Sequence, residues 1–343
     1  MLILGIETSC DETAVALVKD GQTVVASLIA SQIDVHKTFG GVVPEIAARE
    51  HLRVIDPLYR ELLAKAGLTI DDVDAIAVTR GPGLIGALLV GIAYAKGLAL
   101  STGKPLVPVD HVHAHVHGAL LGVPVALKDV FPTLALVVSG GHTNLYYMPG
   151  PTKYELLASS VDDACGECFD KVAKLLGLGY PGGPVVEKLA SQGRAGAVAM
   201  PRMTERKDKM EFSYSGLKTF MANLINKEQP IAPARLHDIC ASFQEEALGQ
   251  IVRKLKLAAA TRPEAKSIIV AGGVAANQRF KALVGEQLKL QAYFPHPSYC
   301  SDNAAMIASY GHHLFAAGKA AGQQFMGADW DAYSRYEYAS VTV

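Results

Sequence analysis

One plan, used twice, constrains this fold more than any other feature of the sequence. Residues 2–6 (Leu-Ile-Leu-Gly-Ile) form an apolar run of strand length. The run from Glu7 to Thr13 is a polar turn, residues 14–18 (Ala-Val-Ala-Leu-Val) return as a second strand, and Asp20-Gly21 turns tightly into a third over 23–27. The same order recurs later: an apolar strand over 134–138, the small turn Ser139-Gly140-Gly141-His142-Thr143, and a returning strand over 144–148. The match is one of lengths and order, not of residue identity. It predicts two related lobes, each opening on a strand-turn-strand core. Helices between the later strands make the class α/β. The division is placed at residue 130, giving an N-terminal lobe over 1–130 and a C-terminal lobe over 131–343.

Between and beyond these cores, residues 44–66 read as a helix with Pro44 near its start, interrupted or re-angled at Pro57. A short strand over 75–79 leads through Gly81-Pro82-Gly83-Leu84-Ile85-Gly86 into a long, small-residue apolar helix ending near 100. Helices are expected near 160–177 and 184–192, a polar, exposed segment over 201–219, a helix over 233–260 and a strand over 267–270. Ser301-Asp302-Asn303 opens the last clear helix, and the tail after about 325 reads as irregular. Half of the 343 residues are hydrophobic, so a large core can form, while a net charge of -1 argues against holding nucleic acid by bulk electrostatics. No uninterrupted apolar run of membrane-spanning length and no leading basic-then-apolar segment is read, so the expected setting is cytoplasmic, away from membranes. Five scattered cysteines (Cys10, Cys165, Cys168, Cys240, Cys300) fit reduced thiols better than a disulfide framework.

Four histidines, His111, His113, His115 and His117, alternate directly after Pro108-Val109-Asp110. Asp110 is a good N-cap, which predicts a helix starting near His111. On a helix His111 and His115 share one face, and His113 and His117 point roughly the other way. A His-x-x-x-His pair is a ready pair of metal ligands. Histidines without a metal are the competing reading, and a strand would put all four on one face. A third donor is needed. Asp302 offers a hard carboxylate oxygen, but Ser-Asp-Asn is also a common helix cap. Cys165-x-x-Cys168 has no second cysteine pair and reads as two small core residues.

Three glycine loops follow apolar strands, at 81–86, 139–143 and 272–277. Such loops let backbone N–H groups approach a phosphate, which points to a bound nucleotide. Gly81-x-Gly83-x-x-Gly86 also matches a dinucleotide fingerprint with Asp110 as its acidic partner, the pattern of a dehydrogenase. Neither the lysine-bearing phosphate loop nor His-Glu-x-x-His occurs in the sequence.

Taken together, the motifs resemble the universal tRNA threonylcarbamoyladenosine-forming transferases. The resemblance runs through Gly5-Ile6-Glu7-Thr8-Ser9-Cys10-Asp11-Glu12-Thr13, Gly40-Gly41-Val42-Val43-Pro44-Glu45, Gly81-Pro82-Gly83-Leu84, His111 with His115, and Val138-Ser139-Gly140-Gly141-His142-Thr143. It continues through Phe169-Asp170-Lys171, Tyr180-Pro181-Gly182-Gly183-Pro184, Phe212-Ser213-Tyr214-Ser215-Gly216-Leu217-Lys218-Thr219, Ala271-Gly272-Gly273-Val274-Ala275-Ala276-Asn277 and Asp302-Asn303. The details are similar to the bacterial branch of a family formerly labelled O-sialoglycoprotein endopeptidase. The resemblance implies the two-lobed fold of actin, Hsp70 and sugar kinases. It also implies transfer of a threonylcarbamoyl group from threonylcarbamoyl-adenylate (threonylcarbamoyl-AMP) to the exocyclic amine of the adenosine beside the anticodon, in tRNAs reading codons that begin with A. By the same resemblance His111, His115 and Asp302 hold one divalent ion, iron(II) or zinc. Val138, Ser139, Gly140, Gly141, His142, Asp170, Gly183, Glu187 and Asn277 hold the adenylate and its acyl group. Two departures stand out. Cys165 and Cys168 replace the usual alanines, and Val137 stands where the archaeal and eukaryotic branch carries a metal-binding tyrosine.

The donor is an activated mixed anhydride, so the chemistry left is positioning, oxyanion stabilisation and removal of a proton from the amine. Asp11 or Glu12, in the first turn, is the candidate general base. Arg202, Arg206, Lys207 and Lys209 form a diluted basic stretch suited to a weak phosphate contact. The family's partners are tRNA, a non-catalytic paralogue (TsaB-like) and a small P-loop ATPase (TsaE-like), with homodimerisation also open and the apolar helix at 86–100 available for docking. The competing functions are an actin-like nucleotide-binding kinase or scaffold, and a metallopeptidase.

Overall fold

The computed structural model describes residues 1–39, 41–202, 210–323, 325 and 329–336. In the first unit a sheet is built from β1 (Leu2–Glu7), β2 (Glu12–Lys19), β3 (Thr23–Ser31), β4 (Ala75–Gly81) and β5 (Leu106–Asp110), in the order β3-β2-β1-β4-β5. β2 runs antiparallel to β1 and β3, whereas β4 is parallel to β1 and β5 parallel to β4. The second unit holds β6 (Thr133–Val138), β7 (Thr143–Gly150), β8 (Lys153–Ser160), β9 (Glu211–Phe212), β10 (Ser267–Ala271) and β11 (Gln291–Tyr293). Its order is β11-β10-β6-β7-β8-β9. Leaving out the edge strand β9, both the order and the strand directions repeat those of the first sheet. The duplicated core expected from two hairpins thus extends to five strands in each unit.

The backbone divides into Met1–Pro124 with Ser301–Val343, and Val125–Cys300. This corrects the expected division at 130/131, because the last stretch of the chain returns to the first unit. The reason is packing at small residues. Leu4 and Ile6 of β1 join a core with Ile55, Leu62, Leu88 and Ile92 from the helices Pro44–Ala66 and Ile85–Thr102. Gly5, between them on the strand, meets the helix Ala304–Ala320 instead: a Cβ at residue 5 would lie 2.2 Å from the Ala304 carbonyl oxygen. Backbone thus lies against backbone, and only glycine allows it. Gly5→Ala is therefore expected to cost about 1–3 kcal/mol by overpacking, read as a lower midpoint in urea unfolding. An unchanged midpoint would show that this contact is soft.

Three further expectations change. Pro57 lies inside an unbroken helix, Pro44–Ala66. Pro57 has no N–H, so the Arg53 carbonyl one turn earlier loses its helical partner, and both residues are exposed. The segment 201–219 is not uniformly exposed. Phe212, Tyr214 and Leu217 are fully buried, and the helix Ser215–Glu228 begins within it. Arg202 is exposed, while Arg206, Lys207 and Lys209 lie outside the described residues. Finally, the helix Ile85–Thr102 is long and apolar enough to cross a membrane by length and composition. Its Ala87, Leu88, Gly91, Ile92 and Ala95 are nevertheless buried within the unit.

The second core is larger. Leu134, Leu136 and Val138 of β6 pack with Phe169, Val172, Phe243, Leu248 and Ile251. These come from β6 and from the helices Cys165–Leu175 and Pro233–Thr261. Cys165 and Cys168 belong to this core and are fully buried, and burial pushes the Cys165 thiol up to about 12. They pack in the core, as the lack of a second cysteine pair suggested.

Candidate functional site

The helix expected at the histidine run is present as His111–Gly118, and Asp110 caps it by accepting the His113 N–H at 2.8 Å. One turn separates His111 from His115, so their rings lie 4.8 Å apart. Asp302 meets them, with Oδ1 3.5 Å from His111 Nε2 and 3.2 Å from His115 Nε2. One ligand atom from each of the three residues falls within 4.8 Å of the others. The choice left open for Asp302 is decided by its neighbour. Asn303, not Asp302, caps the helix Ala304–Ala320, its side chain accepting the Met306 N–H at 3.0 Å. The Asp302 carboxylate is thereby left to face the imidazoles.

Behind His111 sits a residue that sequence reasoning did not assign. Glu7, the last residue of β1, is fully buried. His111 Nδ1 donates to Glu7 Oε2 at 3.0 Å, Thr79 Oγ1 donates to the same oxygen at 2.6 Å, and the Ser9 N–H donates to Oε1 at 2.5 Å. The available signal was a carboxylate ending an otherwise apolar strand, since buried charges need partners. Burial pushes both carboxyls, Glu7 and Asp302, upward, but the His111 imidazole more than offsets it, and both end below the usual carboxylate range. Burial alone would lower His111. Asp302 and then Glu7 reverse this and hold it well above its ordinary value. The locus therefore favours positive charge. Two imidazoles and one carboxylate are a donor set for iron(II) or zinc, and a carboxylate on the far nitrogen of a ligand histidine is the usual way to fix its tautomer and ring. The residues fit a divalent ion. Glu7→Gln is expected to weaken zinc binding about 10–100-fold, measured by competition with a chromophoric chelator. Parent-like affinity would show that this buried carboxylate does not support the site.

Asp11 and Glu12 lie where β2 begins. The turn before them is pinned by His51, whose Nε2 donates to the Cys10 carbonyl at 2.9 Å while its Nδ1 lies 2.7 Å from Thr13 Oγ1. Glu12 Oε1 accepts from Ser31 Oγ at 2.8 Å, and Oε2 is buried with no hydrogen-bond partner among the described residues. Burial raises its carboxyl to about 7 against the pull of Ser31, and the charges of Asp11 and Asp302 add to the rise.

In the second unit the remaining predicted residues gather at the carboxyl ends of the parallel strands β6 and β10, where Val137 pairs with Ala271. Val138 ends β6, and the turn closes through Ser139 N–H to the His142 carbonyl (2.8 Å) and His142 N–H to Ser139 Oγ (3.1 Å). Gly272, at φ +89, presses so closely on Val138 that a Cβ there would lie 2.4 Å from its carbonyl oxygen. Gly140, Gly141, Gly183 and Gly273 have open space where a side chain would stand. The side chains predicted beside them already hold helix starts. Asp170 accepts the Gly182 N–H at 2.7 Å, Glu187 accepts the Gln278 N–H at 2.7 Å, and Asn277 accepts the Phe280 N–H at 2.9 Å. Asn277 also donates to Gln244 at 2.8 Å. These three serve first to place the loops.

The dehydrogenase pattern fails on its acidic partner. The Asp110 carboxylate is taken by the His113 N–H and by the hydroxyls of Tyr333 and Tyr336. Gly81 and Gly83 serve close packing, with a Cβ at residue 83 falling 2.6 Å from the Ser9 carbonyl oxygen.

Residues 23–309 match the family model described as TsaD, tRNA N6-adenosine threonylcarbamoyltransferase. A protein of that name from Trichlorobacter lovleyi is 48% identical over 323 residues, covering 93% of each chain. One from Moorella thermoacetica is 49% identical over 317 residues, covering 91% of this chain and 92% of that one. Among solved structures, component A of (R)-2-hydroxyglutaryl-CoA dehydratase from Acidaminococcus fermentans superposes with a TM-score of 0.52 at 17% identity, over 92% of this chain and 99% of that one. HypF of T. kodakarensis gives 0.57 at 15% identity, over 92% of this chain and 48% of that one. These likenesses bear on the fold alone, and they bear out the actin/Hsp70/sugar-kinase class. By the family model and by relatives near half identity over almost their whole length, the chain belongs to the tRNA N6-adenosine threonylcarbamoyltransferase family.

Proposed function

We propose that this chain moves the threonylcarbamoyl group of threonylcarbamoyl-adenylate onto the exocyclic amine of the adenosine beside the anticodon, in tRNAs reading codons that begin with A. The observation that carries the reading is the His111, His115 and Asp302 cluster backed by Glu7, in a chain of this family. His111, His115 and Asp302 would hold one divalent ion, iron(II) or zinc. Such an ion supplies Lewis-acid polarisation of an acyl carbonyl and a template for orienting it. The chain's own residues do the rest. Glu7 fixes the ring of His111. Glu12, with one buried oxygen unpaired, accepts the proton that the attacking amine loses. The 138–142 turn, Gly183 and Gly273 leave room for backbone N–H groups to take the adenylate phosphate, and Asp170, Glu187 and Asn277 hold those loops in place. The amine forms its bond to the carbonyl carbon as the bond from that carbon to the phosphate oxygen breaks and AMP leaves; the acyl group is already activated as a mixed anhydride, so no covalent enzyme intermediate is required.

With a net charge of -1 the chain needs help to hold tRNA. In this reading a non-catalytic paralogue and a small P-loop ATPase supply the rest of the footprint, in the cytoplasm. The exposed Leu52, Ile85, Leu89 and Leu100 on and beside the helix Ile85–Thr102 support a docking role for that helix. The test is to incubate the protein and these partners with threonylcarbamoyl-adenylate and unmodified tRNA, then analyse the nucleosides by mass spectrometry. A threonylcarbamoyl-adenosine peak that disappears with His111→Ala is the expected result. No peak from folded protein with competent partners would overturn the reading in favour of an actin-like kinase or scaffold.

A further inference from the structure

Residues 329–336 form neither helix nor strand, yet they are fastened to the first unit along their length. Lys96 Nζ donates to the Trp330 carbonyl at 3.0 Å and lies 4.7 Å from the centre of its indole ring. Arg80 Nε donates to the Asp331 carbonyl at 2.7 Å, and the Tyr333 N–H donates to the Arg80 carbonyl at 3.3 Å. The segment lies directly on the end of β4, where a Cβ at Gly81 would fall 2.3 Å from the Tyr333 carbonyl oxygen. It then spends two hydroxyls on one carboxylate. Tyr333 donates to Asp110 Oδ2 at 2.5 Å, and Tyr336 lies 2.7 Å from both Asp110 oxygens.

Capping explains none of this. An N-cap needs one bond to the helix, and Asp110 already makes it to the His113 N–H. Two more donors add nothing to the cap itself, but they fix where Asp110 stands. His111 is the next residue and His115 follows one turn later, so a shift of Asp110 moves both rings together. Burial and the Asp110 carboxylate raise the Tyr333 hydroxyl above its ordinary value, which keeps it a donor. We propose that the segment 330–336 is a tether, and that Tyr333 and Tyr336 are positioning residues that hold Asp110 and so set the His111–His115 pair. The proposal rests on the metal reading only for its effect on metal affinity.

The test uses the full chain carrying Tyr333→Phe with Tyr336→Phe, and separately Asp110→Ser. Serine still caps the His113 N–H but is too short to meet the tyrosines. Trp330 is the chain's single tryptophan, so its emission reports whether the segment stays docked. In metal-free protein, hydrogen exchange of the amides in the helix His111–Gly118 should be several-fold faster in both variants. Zinc should bind about tenfold more weakly, the low end for a lost supporting partner, while Trp330 emission in the tyrosine variant stays unchanged. Exchange and zinc affinity equal to the parent in both variants would overturn the tether. If Trp330 emission shifts, Asp110→Ser decides alone, because its segment keeps both anchors at Lys96 and Arg80. A parent that binds no zinc would sink the metal reading, and the exchange rates would still decide the tether.

Discussion

Asp302→Ala should abolish stoichiometric zinc or iron(II) binding and lower acyl transfer at least about a hundredfold, the scale of losing one stabilising group at a reacting carbonyl, while the protein stays folded. The last clause makes the experiment decisive. Asp302 and Asn303 are adjacent, and either residue type can start a helix. Here the Asn303 side chain takes the Met306 N–H, and Asp302 takes no part in the cap. Removing Asp302 therefore leaves the helix Ala304–Ala320 capped. It also leaves His111 paired with Glu7, so no buried charge is stranded. Asn303→Ala is the complement. It should cost about 1 kcal/mol of stability through the lost cap. Metal content by atomic spectroscopy, urea midpoints and turnover read the two roles apart. An Asp302→Ala protein that keeps its metal and its rate would remove the carboxylate from the candidate centre.

Which features were legible in the sequence follows from how local their causes are. The helix at His111 was readable because a cap and a four-residue spacing are neighbours in the chain. The duplicated core was readable from two hairpins, and strands at 75–79 and 267–270 were readable too, but their parallel pairing into matching sheets was not, since nothing local states which strand a helix delivers the chain to. Asp302 could be named but not assigned, because the deciding bond belongs to Asn303. Glu7 was missed because an apolar run reads as strand and ends attention one residue early. Its meaning comes from His111, far along the chain. The segment 329–336 carries no periodicity, so Tyr333 and Tyr336 looked like an irregular tail. The return of Ala304–Ala320 to β1 depends on a missing side chain at Gly5, and an absence of side chain has many meanings until its neighbour is known. The resemblance pointed to Asp170, Glu187 and Asn277 as ligand residues. It could not show that each already holds a helix start.

Glu12→Gln should lower kcat/KM by about 10²–10⁴, the usual worth of a general base, and should also flatten the pH profile. In the parent, burial raises the Glu12 carboxyl from 4.5 to about 7, with Ser31 opposing and Asp11 and Asp302 adding to the rise. A base must be ionised to accept a proton. Activity should thus climb about tenfold per pH unit in acid, bend near pH 7 and level off above it. The stability effect runs the other way. A carboxyl whose folded pKa exceeds its unfolded value binds protons more tightly when folded. Its ionisation opposes folding progressively as pH rises between 4.5 and about 7, and the full penalty persists above. Glutamine removes that penalty, so the variant should gain stability over the parent at pH 8, with the gain vanishing near pH 4. The buried Oε2, unpaired among the described residues, makes the same point by geometry, since an unsatisfied oxygen costs stability and offers an acceptor. Slower turnover, a flat acid limb and a higher urea midpoint at pH 8 would together mark a carboxylate kept against its environment for chemistry. A Glu12→Gln enzyme with a normal rate and an intact acid limb would move the proton to another acceptor, and Asp11→Asn would be the next variant to measure, since Asp11 shares the same turn.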